Sequence, residues 1–269
     1  YGAIGDGETD CHPAFKKAIA ACTSAGGGRV VVPKGKFLTN GPIHLENNVN
    51  LHLAEGSTVL FSNQFKHYLP QVHVRWEGTE CYNYSPLIYA YKKKNVAVTG
   101  KGTFDGQAGK TWAKWPGKSK PGTVSNTVLR EMGKRGTPLE ERRFFFKPTF
   151  FEPFDCQNVL IEGVTILDYP FWCIHPTFCT NVTIRNLVVD SHNSNNDGID
   201  PDSCKDVLIE NCHLDQSDDS LAIKAGRDQD AWKAGRPCEN IVIRNMKVWD
   251  GCAIGSEMSG GVQNVFVYD

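Results

Sequence analysis

The 269-residue chain carries 29 Lys and Arg against 30 Asp and Glu, a formal net charge of −1, with 40% hydrophobic residues. So even a balance gives no overall attraction to nucleic acid or to anionic membranes, and any affinity for a charged polymer has to be local. No apolar run approaches the roughly 18 residues of a membrane span, so residues 1–269 read as one sizeable domain.

The chain opens on Tyr1-Gly2-Ala3-Ile4-Gly5-Asp6-Gly7 with no charged-then-apolar leader, as expected of a mature or trimmed product. Residues 13–24 form the one clear helix: Phe15, Ala18, Ile19 and Cys22 make a single apolar stripe. Thr9 or Asp10 can cap it, Pro13 suits its first turn, and Gly26-Gly27-Gly28 stops it. Short strands follow at Val30 to Val32, Ile43 to Leu45, Leu51 to Leu53 and Val59 to Phe61. From Asn63 to Pro86 the alternation fades and aromatics gather around Trp76, which reads either as a loop offering ring faces to a sugar or as ordinary loop packing. Coils resume from Leu87 to Gly106. Residues 107–148 then interrupt them with a polar excursion carrying Trp112, Trp115, Arg142 and Arg143, expected to wall a groove.

Six segments share a pattern of Asn or Asp, apolar, any, apolar, any, Asn or Gly, starting at Asn95, Asn158, Asn181, Asp206, Asn240 and Asn264. From Asn158 onward the starts are 23, 25, 34 and 24 residues apart. A period of this size marks a solenoid whose repeats bury their apolar faces against one another. Alternating Val, Ile and Leu make the interiors strands, and Asn or Gly at the corners supplies left-handed turn residues. The expected fold is all-β: a right-handed parallel β-helix with coils roughly 4.8 Å apart, its first coil plugged by the N-terminal helix. Cys156, Cys179, Cys204 and Cys238 each stand two residues before a repeat's polar residue, so they should stack as a ladder. That ladder reads as a column of small side chains, within reach of cross-coil bridging. Ten cysteines permit an oxidising compartment. No Cys-x-x-Cys pair is present, so no structural zinc is expected.

Aligning the coils stacks Trp172-Cys173-Ile174-His175, Gly198-Ile199-Asp200, Ser220 to Lys224 and Gly251 to Ile254. Asp197, Asp219 and Asp250 then enter this strand in successive coils, and Asp218 stands beside Asp219. Two carboxylates about 5 Å apart repel by about 3 kcal/mol at an effective dielectric of about 20, or about two pKa units. One therefore keeps its proton while its neighbours stay charged, the division of labour glycoside hydrolysis needs. The loop 226–237 adds Arg227, Lys233 and Arg236.

The opening Tyr1 to Asp10, the run Asn195 to Asp200, Asp218-Asp219 and Ile254-Gly255-Ser256 together resemble the polygalacturonase family, glycoside hydrolase family 28. Arg75-Trp76-Glu77-Gly78 and Asn83 to Ile88 look like its bacterial-type branch. The resemblance implies a cofactor-free inverting hydrolase that cuts α-linked galacturonic acid in pectin. Such an enzyme is a secreted or periplasmic monomer acting on plant cell-wall polysaccharide. By motif, Asp218 is the general acid, while Asp197 and Asp219 activate the water across a gap of roughly 6.5–9.5 Å. Asp200, His175 and Lys224 are expected to point outward and touch substrate, with Asp250, Trp76 and Arg227 as further contacts. In place of the family's Gly-His-Gly the chain has Trp249-Asp250-Gly251-Cys252-Ala253, and it ends before the usual Arg-x-Lys. The sequence thus reads as truncated at its C-terminus or altered in specificity, with rhamnogalacturonan hydrolysis as the alternative. A calcium-dependent pectate lyase or a non-catalytic carbohydrate-binding β-helix would share the fold. The lyase needs a basic proton abstractor, which the adjacent acids argue against.

Overall fold

Each apolar–any–apolar segment forms a strand, and each coil is stacked on the one before. The structure, a computed structural model, describes residues 1–112 and 126–269, so Trp115 lies outside the described residues. Its parallel strands build the walls of a right-handed β-helix. The first sheet runs through eight strands from Gly28–Val32 to Val262–Tyr268, and the second through eight from Asp6–Asp10 to Lys247–Val248. The third starts with Ile43–His44, Ile88–Tyr91 and Phe151–Phe154. It continues by single bridges at Ile174 and Ile199 to Leu221–Ile223 and Cys252–Ile254.

Register follows the repeat. Val96, Val159, Val182, Val207, Ile241 and Val265 stack in one inward column. The residues that open the repeats, from Asn95 (φ 56°) to Asn264 (φ 55°), are all left-handed, and so are the closing Asn186, Asn211 and Asn245. Helix α1 (His12–Ser24) starts one residue before the expected bound and buries Ala14, Phe15, Ala18 and Ile19 over the first coil. No side chain caps it at Cys11, but the Asp10 carboxylate accepts the His12 N–H at 2.9 Å and so serves its first turn.

The four ladder cysteines are buried free thiols. Cys179, Cys204 and Cys238 donate to the carbonyls of Pro153, Pro176 and Pro201 on the coil before, at 3.1, 3.1 and 3.5 Å. Those carbonyls already accept the backbone N–H groups of Thr177, Asp202 and Lys224, so each thiol takes a second lone pair.

The expected sugar-facing loop is an antiparallel hairpin, Val72–Trp76 with Thr79–Asn83. Its two-residue turn, Glu77-Gly78, is left-handed at both positions (φ 43° and 78°), the geometry that matches strand twist. With α2 (Asn126–Lys134) and α3 (Asp228–Ala234), the hairpin roofs the outer face of the third sheet. A second apolar cluster that includes Val74, Trp76, Leu129, Phe146 and Trp172 fills the space beneath. Arg75, fully buried, rivets the roof: its Nη1 meets Asp202 at 2.9 Å and Ser203 Oγ at 2.8 Å, and its Nε donates to the Gly78 carbonyl. Gly226 must be glycine, since a Cβ there would stand 1.6 Å from the arginine Nη2.

Candidate active site

Two corners present the acids. Before Asp197, the fully buried Asn196 makes four hydrogen bonds. Its Oδ1 accepts from Ser191 Oγ and the Asn193 N–H, and its Nδ2 donates to the carbonyls of Tyr169 and Phe171. One coil later, buried Gln216 donates to the Asp218 carbonyl at 3.0 Å and Ser220 Oγ at 2.7 Å. Between these corners Gly198 lets the coils close: its N–H donates to the Asp219 carbonyl, and a Cβ there would meet the Ser220 carbonyl at 2.5 Å. Asp197, Asp218 and Asp219 consequently bring carboxylate oxygens within 4.8 Å of one another. Among the described residues these three converge closely enough to hold a cation, and an ammonium group stands beside one of them, Asp197.

That ammonium is Lys224, 3.4 Å from Asp197 and 3.3 Å from Glu257, over the Trp172 ring at 4.2 Å. Burial works against its charge, but Asp200, Glu257 and Asp197 outweigh burial and hold its pKa above the ordinary lysine value. One cation shared among several acids relieves each only in part. Burial first, then Asp218 and Asp219, push Asp197 up to about 7 against the pull of Lys224. Burial likewise raises Asp219.

The acids open into a cavity of about 200 Å3. Lys224 and Arg227 line it as expected, together with Glu77, Arg130, Trp172 and Glu257. Four expected contacts do not. Asp200 and His175 sit in one outward column with Glu152, yet both are fully buried beneath the roof. Both Asp200 oxygens lack a hydrogen-bond partner, and burial, with Asp197, raises its pKa well above the usual carboxylate value. Trp76 is buried too, stacked at 4.1 Å on Phe146 and 5.2 Å on Phe171, with its indole N–H donating to the Lys147 carbonyl. Asp250 keeps its place in the column after Asp219 but lies exposed outside the cavity lining.

Sequence reasoning did not assign several other lining residues to the site, among them Trp172, Glu257, Glu77 and Arg130. Trp172 and Glu257 adjoin segments already singled out, and Glu77 follows Trp76, but nothing in the pattern of residues 107–148 marks Arg130. Glu77, at the left-handed hairpin tip, accepts from Arg130 at 2.7 Å and from Asn126 Nδ2 at 2.8 Å. Glu257 accepts from Arg227 Nη2 and from Ser256 Oγ. A Cβ on Gly78 would meet Glu257 at 2.8 Å and Arg227 at 3.0 Å, so the tip seats directly on the cavity rim.

The sequence profile described as Glycosyl hydrolases family 28 matches residues 22–269. The crystal structure of a hyperthermoactive exopolygalacturonase from Thermotoga maritima superposes with a TM-score of 0.94 at 48% identity, over 99% of this chain and 64% of that one. A probable polygalacturonase of Vitis vinifera is 30% identical across 100% of this chain and 53% of its own length. An exo-poly-alpha-D-galacturonosidase of Dickeya chrysanthemi is 27% identical across 98% and 48%. The chain spans about half the length of the curated relatives it matches.

Among the described residues, no helix is long and apolar enough to cross a membrane.

Proposed function

The chain belongs to the glycosyl hydrolases of family 28, and on that premise we propose that it hydrolyses the α-linked galacturonic acid backbone of pectin. The observation that carries this reading is the convergence of Asp197, Asp218 and Asp219 within 4.8 Å at a polar cavity. In this reading Asp218, half-exposed at the corner, delivers its proton to the departing glycosidic oxygen. Asp197 and Asp219, in register on adjacent coils, hold and deprotonate the attacking water. Lys224 keeps part of their charge in place as Asp197 cycles between its two forms. Stereochemistry is a direct check on these roles. A first-formed β-anomer in NMR of the products supports them, and an α-anomer makes one of the three a nucleophile.

The cavity, about 200 Å3, has room for about one sugar, and the roof closes over the neighbouring coils. This favours attack at the chain end, the mode named for the Thermotoga and Dickeya relatives. Residues 1–269 act in this reading as one catalytic β-helix and as a monomer, since a single chain supplies the lining groups described. A polymer as large as pectin cannot enter a cell, so the place of action is outside it or in the periplasm. Rhamnogalacturonan remains the competing backbone, distinguished by sizing the products from each polymer.

The decisive variant is Asp218→Asn. Turnover on polygalacturonate should fall by about 1,000-fold or more while the melting temperature stays within experimental error. Full activity in the variant would remove the acid from Asp218. Reducing ends that appear without unsaturated-product absorbance, and are indifferent to chelator, separate hydrolysis from calcium-dependent elimination.

A further inference from the structure

We propose that Arg130 reads the carboxylate of the terminal sugar and so sets uronic acids apart from neutral sugars. The inference rests on the hydrolase reading above and concerns the same cavity.

Among the described residues three cations line that cavity, and two are held by more than one protein group. Lys224, with 3% of its side chain exposed, is divided between Asp197 and Glu257 and lies over Trp172. Arg227 places Nη2 on Glu257 and donates its Nε to the Glu77 carbonyl. Arg130 is the most exposed of the three at 32%. Its ion pair is with Glu77 through one Nη2, and its Nε is buried with no hydrogen-bond partner. A guanidinium carries five N–H donors, and a carboxylate arriving side-on takes Nε and an Nη together. A uronate bound in this way would satisfy the orphaned Nε, with Glu77 giving up its hold.

The arginine is also on a firm support. Leu129 beside it is buried in the second apolar cluster, and Gly133 of the same helix packs so closely on the hairpin that a Cβ would meet Thr79 Cγ2 at 2.9 Å. Charge makes a reader necessary. Glu77, Asp197, Asp218, Asp219 and Glu257 line the cavity against Lys224, Arg227 and Arg130. An anionic sugar entering among these acids needs a cation, and among the described lining residues Arg130 is the most exposed one and is paired only with Glu77. In so small a space every lining group is within reach of a bound pyranose.

Calorimetry with galacturonic acid and with galactose, on the wild type, Arg130→Gln and Arg130→Lys, tests this without requiring turnover. The wild type should bind the acid more tightly, and Arg130→Gln should lose about 50-fold for the acid and little for galactose. Arg130→Lys, which keeps the charge but not the fork, should fall between them. On oligogalacturonate the loss in Arg130→Gln should appear in KM with kcat nearly unchanged. Unaltered acid binding in Arg130→Gln, or an equal loss for both sugars, overturns the proposal. If Arg130→Gln fails to fold, wild-type discrimination in Arg130→Lys overturns it instead. A wild type that binds the acid through Arg130 but cleaves no galacturonan overturns the hydrolase reading and leaves Arg130 as the reader.

Discussion

Glu152 and Asp197 are both carboxylates kept from water, but their surroundings differ. Asp197 has Lys224 at 3.4 Å and is held near neutrality, where a group that must both take and release a proton is useful. Glu152 lies under the roof, accepting the Arg75 N–H at 2.9 Å and the Thr149 hydroxyl at 3.1 Å, and burial pushes it up to about 8. Its folded pKa lies above the unfolded value of 4.5, so the folded state holds this proton more tightly. Its stabilising contribution is therefore complete below about 4.5 and is lost as pH rises through about 8. Glu152→Gln, which cannot ionise, should flatten the fall in melting temperature across that window. Parallel wild-type and variant curves from pH 5 to 9 would mean that Glu152 does not carry this linkage.

At the corners of the coils, asparagine amides form a ladder. Asn95 donates to Asn48, Asn158 to Asn95 and Asn181 to Asn158, at 2.6, 2.7 and 2.8 Å. The next rung is Asp206, which accepts from Asn240 at 2.7 Å but as a carboxylate has no N–H to pass to Asn181. Asn favours the left-handed conformation found there (φ 59°), so Asp206→Asn restores the missing rung without strain. Such a bond contributes about 0.5–1.5 kcal/mol. The melting temperature should rise by a few degrees, and a variant no more stable than wild type would show that the break costs nothing. The pattern itself was visible in the sequence, because a left-handed corner admits few residue types. What the cysteine ladder does was not: that each thiol answers a carbonyl of the preceding coil depends on stacking.

Over the whole molecule, the roof decides which part of a long outward-facing sheet is a site. The buried ion pair of Arg75 with Asp202 ties it to the coils beneath. Burial opposes the Asp202 charge, but Arg75 and His175 outweigh it and keep the pKa low. Breaking a buried pair by removing one partner costs about 3–5 kcal/mol, because the other charge is left behind. Arg75→Met should lower the melting temperature substantially. If the hairpin lifts without global unfolding, it should also raise KM and lengthen the products from polygalacturonate. A variant as stable as the wild type, with unchanged products, would mean that apolar packing alone holds the roof.

The period, the corners and the side-by-side arrival of Asp197 and Asp219 were determined by the sequence alone, because a parallel coil ties position in the repeat to position in space. Direction was legible too: His175 and Asp200 do point outward from their strands. Exposure was not. Whether an outward side chain meets solvent depends on segments far away in the chain, here the hairpin around Trp76 and helix α2, which have no period to align. For that reason His175, Asp200 and Trp76 were read as substrate contacts when they are buried. Arg130, on an irregular excursion, became a member of the site only when tertiary packing brought it over the coils.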